Sequence, residues 1–237
     1  SVDHFVTQMN DEAARLGMTD THFANPNGLT HPDHYSTARD MAKLARHAMT
    51  ERAFRDIVDT AKAPVRWTLP AGKVRMVENT NELLGRYDGM NGIKTGWTSA
   101  AGGCLAASAQ RGGLELIAIV MQAESPEARF TDARKLLDYG FAQTKLRRGI
   151  SRDRLKKSVW VRGGKQATVA VHPVEDVNYP LIGGEEASHY TITYDLPKII
   201  AAPTKEGQIV GRLLLNYDGQ PVGSVDLAAE KVDAGMS

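Results

Sequence analysis

The first apolar pattern along the chain has helical spacing. Phe5, Val6, Met9, Ala13 and Leu16 fall on one face of a helix over residues 2–16, and Gly17 suits the position just past its end. Residues 18–35 break that pattern. Asn25-Pro-Asn-Gly28 and His31-Pro-Asp-His34, followed by Tyr35, are turn chemistry. Thr37 with Asp40 three residues on predicts a capping-box helix start, and Met41, Leu44, Ala45 and Ala48 line one face. Phe54, Ile57 and Val58 predict a short further helix. Residues 65–67 and 73–77 predict two short strands around Pro70-Ala-Gly72, and 78–90 reads as a polar loop. Two apolar runs, 104–109 and 114–121, flank the turn Gln110-Arg-Gly-Gly113 and predict a β-hairpin. Ser125 then caps a helix. Pro126 sits in its first turn, where a missing N–H costs nothing, and Phe130, Ala133, Leu136 and Leu137 form the apolar face.

Near residues 140–144 the period changes. Residues 157–161, 167–171, 190–194 and 211–217 read as strands, and Asp218-Gly219 is a hairpin turn leading into 220–227. Closely spaced short strands predict a small β-sandwich-like domain. The expected organisation is therefore α+β, with domains 1–146 and 147–237 and the basic run at 145–148 as a solvated linker face within 145–152. Internal repeats, low-complexity tracts and heptads are absent.

Composition narrows the picture by exclusion. Across 237 residues, 29 basic and 28 acidic side chains nearly cancel, so there is no nucleic-acid footprint. No apolar run is long enough to span a bilayer. Cys104 is the only cysteine, which excludes an internal disulfide. Its apolar strand setting predicts a buried structural thiol rather than a nucleophile. His31 and His34 lack companion ligands, so they read as solvated loop histidines and no metal is expected. The chain opens at Ser1 without an initiator methionine or signal peptide, the form of a mature or truncated product. Its ending, AAEKVDAGMS, is too short and polar for an amphipathic membrane helix.

The candidate chemistry lies in NGIKTGWTS, residues 91–99, on or just before the first strand of the predicted hairpin and at or near a sheet edge. Lys94 offers an ammonium and Thr95 a hydroxyl, which suit a carboxylate through charge-assisted hydrogen bonds. Gly96 lets a substrate approach the backbone. The Trp97 N–H that follows suits a developing oxyanion. A phosphate-binding loop is excluded, because Ile93 stands where that loop needs glycine before its lysine. A surface strand with a solvated lysine is the plainer alternative.

The segments 5–29, 34–49, 78–109 and 125–141, in that order, closely resemble the D-alanyl-D-alanine carboxypeptidases, low-molecular-mass penicillin-binding proteins with a β-lactamase-like fold. The resemblance covers about residues 1–145. The tail resembles the small all-β domain that follows in that family. It implies a serine-type hydrolase that removes terminal D-Ala from peptidoglycan stem peptides by acyl-enzyme chemistry, binds β-lactams, and uses no cofactor or metal. The setting it implies is extracytoplasmic, at the periplasm or surface of a bacterium. Peripheral membrane association would come from a lost C-terminal helix. Lys94 and Thr95 become catalytic and substrate-binding residues, with Gly96, Trp97, Thr98 and Arg129 as further substrate-binding positions. Relatives often carry histidine at Trp97, and many carry arginine at Thr80, which would leave the carboxylate clamp here one charge lighter. Neither the S-x-x-K nor the S-x-N motif of the family occurs in these residues. The expectation is that the nucleophilic serine and its lysine come from an upstream segment or a separate N-terminal chain. A non-catalytic peptidoglycan- or protein-binding module is the alternative.

Overall fold

The computed structural model describes residues 1–235. The chain divides into two compact units, Ser1–Ala142 and Gln143–Ser237. Helix α1 (Val2–Arg15) ends as predicted, with Gly17 at φ +69°, and its N–H bonds back to the Ala14 carbonyl at 3.0 Å. Of its apolar positions only Ala13 is buried, while Phe5 is 54 % exposed. Helix α2 (Ala38–Ala48) starts at Thr37, whose Oγ1 accepts the Asp40 N–H at 3.2 Å. Asp40 was expected to complete a capping box. Its carboxylate instead accepts from the Asp20 N–H (2.8 Å), the Thr21 hydroxyl (2.9 Å) and Lys43 (2.9 Å). It thereby ties the loop before α2 to the helix.

After α3 (Arg52–Val58), β1 (Lys62–Arg66) and β2 (Val74–Glu78) form an exposed antiparallel ribbon. The sheet that matters for the site is antiparallel, in the order β3 (Met90–Thr98), β4 (Gly102–Arg111), β5 (Leu114–Ala123). The predicted hairpin is β4–β5. Residues 90–98 form a strand of their own at the sheet edge, not part of that hairpin. Glycines at 92 and 96 and the exposed Lys94 break up the apolar signal of β3 in the sequence. Helix α4 (Ala128–Gln143) packs Phe130, Ala133 and Leu137 against Leu105, Ala107, Ala109, Ala118 and Val120. A second cluster joins Ala45, Met49 and Val58 to Ile93, Ala106, Ile117 and Ile119. The 78–90 segment is more than a polar loop: Leu83 (1 % exposed) and Tyr87 (7 %) are core residues of the α4 cluster.

The second unit has its own core of Val159, Val169, Val171, Val177, Leu213, Leu215, Leu227 and Val232. Its strands are β6 (Thr144–Ile150), β7 (Lys157–Arg162), β8 (Thr168–Pro173), β9 (Val177–Ile182), β10 (Tyr190–Asp195), β11 (Ile199–Ala201), β12 (Gln208–Tyr217) and β13 (Gln220–Ala229). They form a six-stranded sheet, β10-β12-β13-β8-β7-β11, and a β6–β9 pair. The basic run expected to be a linker is therefore strand β6, paired antiparallel with β9. Its charges disguise it, and Pro180 disguises β9, since proline argues against a strand interior. Asp218 (φ +49°) and Gly219 (φ +76°) turn β12 into β13 as the sequence predicts. Of the polar C-terminal stretch, Met236 and Ser237 lie outside the described residues.

Candidate active site

The site begins with two glycines on β4. In the register of the sheet, Thr98 faces Gly102 and Trp97 faces Gly103. A Cβ on Gly103 would lie 2.4 Å from the Ser125 carbonyl oxygen, so only glycine lets the start of α4 pack onto β4. Ser125 Oγ then accepts the N–H groups of Glu127 (3.2 Å) and Ala128 (3.0 Å), which fixes the first turn of α4. That turn carries Arg129. Its Nη1 donates to the Gly96 carbonyl at 2.9 Å.

Lys94 is exposed, and its Nζ donates to the neighbouring Thr95 carbonyl at 2.5 Å. Two cations thus hold two consecutive carbonyls of the edge strand. Arg129 Nε is buried and has no hydrogen-bond partner among the described residues. Thr95 is 7 % exposed, and its hydroxyl lies 2.6 Å from that of Thr80. The Thr98 hydroxyl accepts the Ala101 N–H at 3.0 Å. Trp97 is 52 % exposed. A Cβ on Gly96 would meet only Cys104 Cβ, at 3.6 Å, so packing leaves room beside that residue. The arrangement suits a small anion laid along an open strand edge, with Lys94 on that strand, Arg129 brought to it from α4, and hydroxyl groups beside them.

Lys94, Thr95, Gly96, Trp97 and Thr98 therefore share one strand, and Arg129 is brought to it from α4. Thr80 was read as a lost charge; it is also a hydrogen-bond partner of Thr95. Asn79 and Asn81 went unnoticed. Asn79 Nδ2 donates to the Val58 and Thr60 carbonyls (3.1 and 3.2 Å), and Asn81 Nδ2 donates to the Gly92 carbonyl at 2.9 Å. Asparagine in a loop is commonplace, so the sequence carries no sign of this role.

Two expectations need correction. Cys104 is half-buried, not buried: it faces Gly96 across the sheet, and a glycine cannot cover it. His34 is half-buried rather than a solvated loop side chain; its Nδ1 accepts the Ala24 N–H at 3.0 Å. Burial, then the nearby His22 and His31, hold its pKa below the ordinary histidine value. A cavity of about 440 Å³ lies at the other end of β3, among Arg55, Asp59, Asn91 and Gln110. None of the predicted site residues lines it. The KTG group lies on an open strand edge rather than in that cavity.

The sequence profile of the D-alanyl-D-alanine carboxypeptidase family matches residues 1–125. The chain belongs to that family. The profile of the penicillin-binding protein 5 C-terminal domain matches residues 145–233. The chain is 33 % identical over 231 residues to D-alanyl-D-alanine carboxypeptidase DacF of Bacillus subtilis, covering 98 % of this chain and 59 % of that protein. It is 38 % identical over 144 residues to the D-alanyl-D-alanine carboxypeptidase of a Streptomyces species, covering 60 % of this chain and 50 % of the relative. Among solved structures, penicillin-binding protein 5 of Haemophilus influenzae superposes with a TM-score of 0.57 at 28 % identity, covering 97 % of this chain and 66 % of that one. The chain spans half to three-fifths of the length of these curated carboxypeptidases. The fold agrees with the expected α+β unit followed by an all-β unit.

Proposed function

We propose that these residues form the KTG-bearing part of a serine-type D-Ala-D-Ala carboxypeptidase. The observation that carries the reading is the pairing of Lys94 and Arg129 on the consecutive carbonyls of Thr95 and Gly96, beside the Thr95 hydroxyl. That edge suits the terminal carboxylate of a peptidoglycan stem peptide. Lys94 and the Thr95 hydroxyl hold the carboxylate. Thr98 lies next along the strand, and Arg129 fixes the strand and adds charge. Gly96 leaves space for the substrate backbone.

A serine outside residues 1–237, on an upstream segment or a separate N-terminal chain, attacks the penultimate D-Ala carbonyl and expels D-Ala. The Trp97 N–H and the nucleophile's own N–H steady the oxyanion. Water then releases the shortened peptide. β-Lactams acylate the same serine. No metal or cofactor takes part. Stem peptides place the protein outside the cytoplasm of a bacterium, and a C-terminal helix beyond this sequence would hold it at the membrane.

The reading is tested by following D-Ala release from a peptide ending in D-Ala-D-Ala, with intact protein and its Lys94→Ala variant. Loss of one hydrogen bond to a charged group predicts kcat/KM lower by about 10- to 150-fold. Unchanged release in the variant would contradict the carboxylate assignment. No release by either protein would favour a binding module.

A further inference from the structure

We propose that Thr80 is a positioning residue for Thr95: its hydroxyl donates to the Thr95 hydroxyl and so turns the Thr95 proton toward a bound carboxylate. The inference rests on the carboxylate-binding reading of the KTG edge and adds a residue to it.

The two oxygens are 2.6 Å apart, a normal hydroxyl–hydroxyl hydrogen bond. Each hydroxyl has one proton and two acceptor lone pairs. Two directions are therefore open. If Thr95 donates to Thr80, its only proton is spent and it cannot bind a carboxylate, which has only acceptors. If Thr80 donates to Thr95, the Thr95 proton is free for the ligand. A bound carboxylate selects the second direction, giving a chain from Thr80 through Thr95 to the ligand. Donors in series strengthen one another in a poorly solvated setting, and Thr95 is 7 % exposed.

The Thr80 backbone is held independently of its hydroxyl. Asn79 Nδ2 anchors one side to the Val58 and Thr60 carbonyls at 3.1 and 3.2 Å. Asn81 Nδ2 anchors the other to the Gly92 carbonyl of β3 at 2.9 Å. Asn79 Oδ1 accepts the Asn81 N–H at 2.9 Å, and Asn81 Oδ1 accepts the Leu83 N–H at 3.1 Å. Thr80 thus sits between two asparagine clamps that set its distance to Thr95. Removing the hydroxyl leaves both clamps in place, so the substitution reports on the hydroxyl alone.

The test is a kinetic cycle on the intact protein with a peptide ending in D-Ala-D-Ala, using Thr80→Val, Thr80→Ser, Thr95→Val and the Thr80→Val/Thr95→Val double variant. The carboxylate is gripped in ground state and transition state alike. Thr80→Val therefore raises KM about three- to tenfold, the range of one neutral hydrogen bond, with kcat little changed. Thr80→Ser keeps the hydroxyl and returns KM to within about twofold. In the Thr95→Val background, Thr80→Val has no further effect, because its partner is gone. A Thr80→Val effect that persists undiminished without the Thr95 hydroxyl would overturn the proposal, as would a Thr80→Val protein with wild-type KM. If Thr95→Val alone leaves the kinetics untouched, the carboxylate grip itself falls and this proposal with it. If Thr95→Val is impaired and Thr80→Val is not, only this proposal falls.

Discussion

Gly96 on β3 and Gly103 on β4, one register step apart, have opposite reasons to be glycine. A Cβ at Gly103 would strike the Ser125 carbonyl oxygen at 2.4 Å, whereas one at Gly96 meets only Cys104 Cβ at 3.6 Å. Gly103→Ala should therefore cost about 1–3 kcal/mol of stability, as overpacking does. It should also slow acylation by penicillin, because the start of α4 and with it Arg129 must move. Gly96→Ala should leave stability within about 0.5 kcal/mol and still slow acylation, because its methyl intrudes on the substrate. Urea unfolding beside the acylation rate separates the two. The sequence exposed Gly96 through its place in KTG but not Gly103. A glycine that seats another backbone looks the same in one sequence as a turn glycine. That Arg129 lies beside the KTG strand was suggested only by the resemblance, since its partner is a backbone oxygen 33 residues away in sequence.

Among the elements, helices and hairpins with a strong period were readable: α1, α2, α4, the β4–β5 hairpin and the Asp218-Gly219 turn. Strand β3 was harder, because its glycines and lysine interrupt the apolar alternation. Strands β6 and β9 were missed, as one is charged and the other contains Pro180. The capping pattern at α2 was right in place and wrong in partner. Asp40 is fully buried, and burial alone would raise its pKa. Hydrogen bonds from Lys43, the Asp20 N–H and the Thr21 hydroxyl outweigh burial and hold its carboxyl below the ordinary value. A depressed carboxyl pKa stabilises the fold above the unfolded-state value, about 3.9, and the contribution is lost as pH falls through the folded-state pKa. Asp40→Asn should thus lower stability by about 1–2 kcal/mol near neutral pH, the gap between charged and neutral hydrogen bonds. The gap between variant and wild type should close below about pH 4. Denaturant titrations at several pH values give the comparison; a gap that stays constant into acid would remove the charge from the explanation.

On the scale of the whole molecule, the two units differ in how well each covers its own apolar surface. The second unit encloses a valine- and leucine-rich core within its own sheets. In the first unit, Val2 and Phe5 on α1 are 64 % and 54 % exposed, and Met76 on the β1–β2 ribbon is 58 % exposed. An isolated two-stranded ribbon is marginal in water. Residues 143–237 expressed alone should therefore unfold cooperatively, whereas residues 1–142 alone should bind a hydrophobic dye and aggregate. Calorimetry and dye binding compare the two fragments. The resemblance made the family and the all-β second unit legible, because several separated segments match in order. It could not show that the KTG edge is held by Arg129 and Thr80, because those contacts exist only once the chain is folded. We propose that this edge forms one wall of a serine acylation site whose nucleophile lies outside these residues. The most direct test is to treat the intact protein with a β-lactam and map the acyl adduct by peptide mass spectrometry. The predicted result is a single adduct on a serine outside residues 1–237, lost or slowed in the Lys94→Ala variant. An adduct on a serine within these residues, or acylation indifferent to Lys94, would contradict it.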